Sequence, residues 1–502
     1  MAAFLVAYVA TAAIILQILR LVFASLYNSR KARIRGCGKV PVYPGKDPLG
    51  IHNAKQALDA FHNKVWPALE EDRVRIISEQ ENRYVSTYLL RNLGRNHIVT
   101  NDPKNIQAML ATQFKEFELG EGRIRGVHQL LGSGIFATDG EEWAHSRSML
   151  RPHFTREHIA NLALQERHVQ NAMRQLPVAS DNWTGEVDIQ TLFFRFTIDL
   201  STEFLFGHSI NSQLEEHSFA THFEQAQNLA AQRILYEDLA FLLDTKANAH
   251  ATQQVHAFVD TFVHSALHHP QPTKQHTFLD ALATSTTDPL TLRYQLLSVL
   301  LAGRDTTASV LSYTVHLLAR HPSVFQKLRS TVLSSFGTYA HPHDITFASL
   351  KSCKYLQAVL NESQRLYPVI PVNRRCATKD TTLPRGGGPD GLSPIFLPKG
   401  QSVIFLPHVL HRRADIWGAD TAHFNPDRWD AHKHGWEFIP FGGGPRICIG
   451  QQFALTEAAY VLVRLLQRFD AIEDVFPGRE MKWDLTLNSC PADKVTVRLH
   501  ES

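Results

Sequence analysis

The first long pattern in the chain is the absence of any charge from Ala2 to Leu19, where only Thr11 and Gln17 interrupt apolar and small residues. After Arg20 the apolar character resumes through Leu21–Tyr27. At about 1.5 Å per residue, a helix of this length nearly matches a hydrocarbon core of roughly 30 Å, and Arg20 can snorkel to the interface. The pattern predicts a membrane-spanning anchor over residues 1–27. A cleaved signal peptide fits less well, because no positive charge precedes the apolar stretch and the stretch is too long. Arg30, Lys31, Arg33, Arg35 and Lys39 follow, and their excess on that side predicts that the remainder faces the cytosol. Residues 28–50, basic and then rich in proline (Pro41, Pro44, Pro48), read as a stiff linker. Residues 51–502 contain no second long apolar segment and no internal repeat, and read as one folded unit.

Within that unit the periodicity predicts a helical stretch near 58–79 and strands at 84–90, 97–100, 393–398 and 402–406. Amphipathic helical patterns dominate from His158 to Leu267. Asp288 is a capping residue and Pro289 a first-turn residue for a long helix reaching Pro322. Another helix follows Gly450, with Phe453, Ala454, Val461, Leu462, Leu465, Leu466 and Phe469 at helical spacing. The pattern is that of a mainly α protein with short strands.

Composition adds little bias. The 502 residues are 44% hydrophobic and 20% charged with a net charge of +3, which gives ample core material and no argument for nucleic acid. Five cysteines, at 37, 353, 376, 448 and 490, are odd in number and sparse, which suits a reducing compartment and leaves at least one thiol free. Histidines are numerous around residues 250–269 (His250, His256, His264, His268, His269), yet without metal-ligand spacing they read as packing or solvated residues.

The candidate chemistry centres on Phe441-Gly-Gly-Gly-Pro-Arg-Ile-Cys448-Ile-Gly450. Glycines permit positive φ and close approach of backbone to a flat ligand, and Pro445 stiffens the turn. Cys448 lies just ahead of a helix N-terminus, where the helix dipole is expected to lower a thiol pKa. A single cysteine without Cys or His partners is a poor zinc site and a good axial haem ligand; the alternative is a buried structural cysteine. Gly303-Arg-Asp305-Thr306-Thr307 places polar residues in the middle of the apolar helix 289–322. Gly303 should open room there, and Thr306 can turn its hydroxyl to the carbonyl of Ala302. Trp143 and Arg147, four apart, can present an indole N–H and a guanidinium to one acid, or form only a surface cation–ring stack. Glu362 and Arg365 share a helix face, and Arg428 follows in Phe424-Asn-Pro-Asp-Arg-Trp429. The turn Arg385-Gly-Gly-Gly388 is no phosphate loop, since no G-K-[ST] follows.

In this order, the anchor, W-x-x-x-R, A-G-x-D-T-T, E-x-x-R, F-N-P-D-R-W and the Cys loop F-x-x-G-x-R-x-C-x-G resemble a microsomal cytochrome P-450 over essentially the full chain. The resemblance implies a triangular helical prism with a small β-rich lobe, preceded by one transmembrane helix, and a haem b monooxygenase. It implies Cys448 as the axial thiolate ligand and Asp305 and Thr306 as the proton-delivering pair. Trp143, Arg147, Arg375 and Arg446 would contact the haem propionates, and Phe441 and Gly450 would belong to the haem loop. Glu362, Arg365 and Arg428 would brace it. The partners implied are O2, a lipophilic substrate and NADPH-cytochrome P-450 reductase, with the enzyme single-pass in the endoplasmic reticulum membrane and no nucleic acid bound. A finer likeness, in residues 302–308, 385–391, 424–429 and 443–457, is to the fungal alkane and fatty-acid hydroxylase branch, although Gly442 stands where that branch often carries Asn. It implies hydroxylation at or near the end of a long aliphatic chain. The alternative is tailoring of a natural product such as a polyketide with an aliphatic tail.

Overall fold

A computed structural model describes residues 2–154, 162–243, 245–268, 277–430 and 434–502. The start of the 158–267 helical stretch and His269 lie outside the described residues. Contacts divide the chain into two units. One comprises residues 1–56, 70–118 and 374–406, and the other residues 57–69, 119–373 and 407–502.

The first unit carries most of the sheet structure. Its five-stranded sheet runs in the order Thr87–Asn92, Arg95–Thr100, Ser402–Phe405, Asn373–Ala377, Phe117–Glu118. Thr381–Gly387 and Ser393–Leu397 form a separate antiparallel hairpin. The strands expected at 84–90, 97–100, 393–398 and 402–406 are therefore present with slightly shifted ends. Pro41–Tyr43 bridges to the first strand: Leu89 N–H donates to Pro41 O at 2.8 Å, and Tyr43 N–H to Leu89 O at 2.9 Å. The N-terminal apolar stretch lies in one helix, Ala2–Ile34, of 33 residues. Its basic end is held by an ion pair between Lys31 Nζ and Asp380 Oδ2 at 2.5 Å. Among the described residues no helix is long and apolar enough to cross a membrane.

The single helical stretch expected at 58–79 is two helices, Ile51–His62 and Trp66–Gln80. Lys64 between them has φ of 62°, and Pro67 suits the first turn of the second. A left-handed residue ends a helix even where the apolar period runs on.

The second unit is mainly helical. Helices Ile189–Phe206, Pro289–Arg320, Pro322–Phe336, Lys354–Leu366 and Gln451–Arg468 enclose its core, which includes Phe193, Phe196, Leu311, Val315, Phe325, Leu360, Leu462 and Leu466. The 32-residue helix Pro289–Arg320 starts as the sequence predicts: Asp288 accepts from Thr291 N–H, and proline occupies the first turn. It is buried on most of its circumference, which is why its sequence is apolar all round rather than striped. Two small sheets complete this unit, Val187–Asp188/Thr496–Glu501/Phe469–Asp474 and Trp483–Leu485/Ser489–Pro491.

Candidate functional site

The loop leading to Cys448 is built by backbone rather than side chains. Gly442 and Gly444 have φ of +72° and +65°, which only glycine adopts without strain. Gly443 is extended, but a Cβ there would lie 2.5 Å from the Trp436 ring, so its glycine serves close approach. Gly442 N–H donates to Ile439 O at 3.0 Å, and Cys448 N–H to Phe441 O at 3.0 Å, closing the loop on itself. Gly450 is the N-cap of helix Gln451–Arg468, with φ of −84°. Its glycine is therefore not required by backbone sign.

Cys448 is exposed by surface area, although protein surrounds it closely enough that burial pushes its thiol pKa up. The Gly450 N–H and the Arg147 charge act in the lowering direction and are outweighed. The expected net lowering by the helix end is thus corrected: desolvation disfavours the anion more than one N–H and one half-distant cation favour it. A metal bound to the sulfur would supply the missing positive charge.

Arg147, on helix Gly140–Leu150, and Arg446, in the short turn Gly444–Arg446 of the loop itself, meet around Trp143. Arg446 donates to Thr138 O at 2.7 Å and Asp139 Oδ1 at 2.6 Å, and its guanidinium lies 4.5 Å from the Trp143 ring centroid. Burial lowers its pKa to about 10, against the pull of Asp139. Arg147 donates to Ile447 O at 2.9 Å and lies 5.8 Å from the same ring. Trp143, Arg147 and Arg446 are therefore one cluster. Arg375 belongs to the first unit, where it is buried, donates to Arg374 O at 2.8 Å and lies over Phe405.

On helix Pro289–Arg320, Thr306 Oγ1 donates to Ala302 O at 2.7 Å, as its spacing predicts. Ala302 and Thr306 are half-buried, whereas Arg304, Asp305 and Thr307 are buried. Asp305 accepts from Gln227 Nε2 at 2.7 Å and from Arg304 Nη1 at 2.8 Å, and Arg304 also donates to Gln227 Oε1 at 3.1 Å. Gly303 corrects the expected role of opening room beside the helix: a Cβ there would lie 3.0 Å from Ser201 Oγ, so its small size admits helix Ile189–Phe206.

Glu362 is fully buried and receives five hydrogen bonds. Arg365 donates from Nε to Oε2 at 2.8 Å and from Nη2 to Oε1 at 2.9 Å; Arg428 Nε donates at 2.8 Å, Trp429 Nε1 at 3.0 Å and the Asn425 N–H at 3.0 Å.

Residues that motif reading passed over complete the picture. Asp139 and Gln227 hold Arg446 and Asp305, and no local sequence signal marks either. Glu457 is buried on helix Gln451–Arg468, with the Thr307 hydroxyl donating at 3.4 Å. Burial pushes its carboxyl up to about 8 from the ordinary 4.5. The folded form is then neutral where the unfolded chain would be ionised, so the stability it confers falls as pH rises from about 4.5 to about 8. Glu457→Gln removes that slope. It is expected to stabilise more at pH 7 than at pH 5 in urea titrations, by up to about 3 kcal/mol; equal effects at both pH values would show that Glu457 is ionised in the fold.

A loop with three consecutive glycines, a cysteine with accessible surface and a cationic cluster with an indole beside it suit a flat prosthetic group carrying carboxylates. The cytochrome P450 family profile matches residues 55–492, and the chain belongs to that family. It is 46% identical to cytochrome P450 monooxygenase g430 of a Fusarium species over 98% of this chain and 89% of the relative. It is 41% identical to cytochrome P450 monooxygenase alt2 of Alternaria solani over 94% of this chain and 93% of that protein. Cytochrome P450 52A10 of Candida maltosa is 45% identical over 79% of this chain and 80% of its own. The protein is a cytochrome P450 monooxygenase. Membership implies haem held through a cysteine thiolate, electrons from a reductase, O2 and a lipophilic substrate.

Proposed function

We propose that the protein hydroxylates a long alkyl or acyl chain at or near its end. The likeness of residues 302–308, 385–391, 424–429 and 443–457 to the fungal alkane and fatty-acid hydroxylase branch carries this reading. Tailoring of a lipophilic natural-product intermediate is the second reading. Its support is the match over 98% of the chain to a Fusarium monooxygenase outside the 52-numbered proteins. The two separate on incubation of the haem-loaded enzyme and reductase with dodecane, laurate and an alkyl-tailed polyketide. Oxidised dodecane or laurate supports the first; oxidation of the polyketide alone overturns it.

The cofactor is haem b, which when bound supplies the redox chemistry that inserts one oxygen atom of O2 into a C–H bond and reduces the other to water. Cys448 would be its thiolate ligand. Trp143, Arg147, Arg375 and Arg446 would receive its propionates in charge-assisted hydrogen bonds, and Phe441 and Gly450 would shape the loop beside it. NADPH is the electron source, through cytochrome P-450 reductase. The Thr306 hydroxyl and the Asp305 carboxylate hold and pass protons. Thr306 spends its own proton on Ala302 O, which leaves its oxygen lone pairs free to accept. Thr306→Ala is expected to keep NADPH consumption while product per NADPH falls at least about tenfold in favour of hydrogen peroxide. Unchanged product yield would remove Thr306 from proton delivery.

Residues 1–27 form the membrane anchor, 28–50 the linker and 51–502 the catalytic domain, which faces the cytosol from the endoplasmic reticulum membrane. The run Ala2–Leu19 without charge and the five basic residues between Arg30 and Lys39 support that placement.

A further inference from the structure

His411 is fully buried and belongs to none of the motifs above. It follows the short helix Pro407–Leu410 and bonds in two directions. Its backbone carbonyl accepts from Arg365 Nη1 at 3.0 Å, and its ring Nε2 lies 3.0 Å from the Ile439 N–H. An amide N–H can only donate, so Nε2 must be the unprotonated nitrogen. The ring proton is then on Nδ1. The Phe438 ring packs against the imidazole with centroids 5.1 Å apart. Ile439 in turn accepts from Gly442, the first glycine of the cysteine loop.

Glu362, Arg365, His411, Ile439 and Gly442 thus form a continuous hydrogen-bonded path. Arg365 holds the His411 carbonyl with the same guanidinium that grips Glu362. Burial beside Arg365, His408 and Arg412 lowers the imidazole to about 3, so the ring remains a neutral acceptor throughout the neutral range. Ile439 is itself buried, and its N–H would have no water to replace a lost acceptor.

We propose that His411 is a positioning residue for the cysteine loop, accepting the Ile439 N–H through Nε2 so that the buried Glu362–Arg365 pair fixes where the loop presents Cys448. The link to Cys448 rests on its assignment as the haem ligand; the Ile439 hydrogen bond does not. The test compares haem-loaded, full-length wild type with His411→Gln, whose carbonyl keeps an acceptor near the position of Nε2, and His411→Phe, which keeps a ring against Phe438 without one. Hydrogen exchange in a peptide spanning residues 436–444 reads the bond directly. The reduced carbon-monoxide complex reads the thiolate, through the rate at which its long-wavelength Soret band gives way to the shorter-wavelength form.

We expect wild type and His411→Gln to protect the Ile439 amide, and His411→Phe to exchange it about tenfold faster and lose the long-wavelength band faster by a similar factor, as one buried amide left without an acceptor requires. Free exchange at Ile439 in wild type overturns the proposal, as does a Gln variant as impaired as the Phe variant or a Phe variant equal to wild type. Lost protection with an unchanged band overturns the link to Cys448 while sparing the ligand assignment, which substitution of Cys448 itself tests. Should His411→Phe fail to take up haem, wild type against His411→Gln still decides.

Discussion

Glu362→Gln is expected to abolish stable haem incorporation, with a loss on the order of 3–5 kcal/mol. The carboxylate is fully buried, and every group around it donates: two nitrogens of Arg365, Arg428 Nε, Trp429 Nε1 and the Asn425 N–H. A glutamine has the same shape but turns an NH2 toward those donors. It also leaves Arg365, which is fully buried, without a counter-ion. Burial already acts to lower the Arg365 pKa, and the Glu362 carboxylate opposes it. The damage would spread, because Arg365 also donates to the carbonyls of His411, Thr421 and His423, and Arg428 to Trp417 O and Asp420. Thermal loss of the reduced carbon-monoxide band measures the effect. A Gln variant that takes up haem and keeps the wild-type midpoint would show that shape alone, not charge, maintains this network. Arg428→Lys should be milder, since Glu362 would keep the Arg365 fork, the indole and the Asn425 amide.

Why this network was only half legible in the sequence follows from where its members lie. Glu362 and Arg365 are one helical turn apart, a spacing that any surface ion pair shares. Their burial, the indole of Trp429 and the carbonyls that receive Arg365 are tertiary facts. His411 and Gln227 are more extreme cases, because a lone histidine or glutamine in a helical or turn segment carries no local signal of the amide or carboxylate it will meet. Short-range chemistry read more plainly. Thr306 reaches Ala302 O four residues back, and Asp288 caps Thr291 three residues on; both follow from helical spacing alone. Gly303 looked the same in sequence whether it opened space or closed it. Only the neighbouring helix, through Ser201, decides that it closes it. The break at Lys64 was hidden for the opposite reason: the apolar period continues across a backbone reversal that it does not encode.

Cys448→Ser gives the sharpest expected result, because the two readings of that residue predict opposite patterns. If Cys448 were a structural thiol, exchanging sulfur for oxygen would alter folding and leave the haem spectrum alone. If it is the ligand, the substitution should scarcely affect the loop, whose closing hydrogen bonds run through backbone atoms: Cys448 N–H to Phe441 O, Gly442 N–H to Ile439 O and Ile447 N–H to Gly444 O. The thiol is also held above its ordinary pKa by burial, so without iron no favourable charge interaction is lost. A serine hydroxyl is far harder to ionise and cannot replace thiolate donation. The long-wavelength Soret band of the reduced carbon-monoxide complex should therefore disappear. Hydroxylation should fall by more than about 100-fold, beyond what loss of an outer-shell partner does, while the unfolding midpoint of the haem-free protein stays close to wild type. Cys490→Ser provides the control: this thiol is likewise raised by burial, near Asp484 and Asp305, but lies on the strand Ser489–Pro491 rather than in the glycine loop, so its loss should leave the band in place. A Cys448→Ser protein that keeps the band would assign the ligand to another residue, and the glycine loop would then need another reason for its three side-chain-free positions.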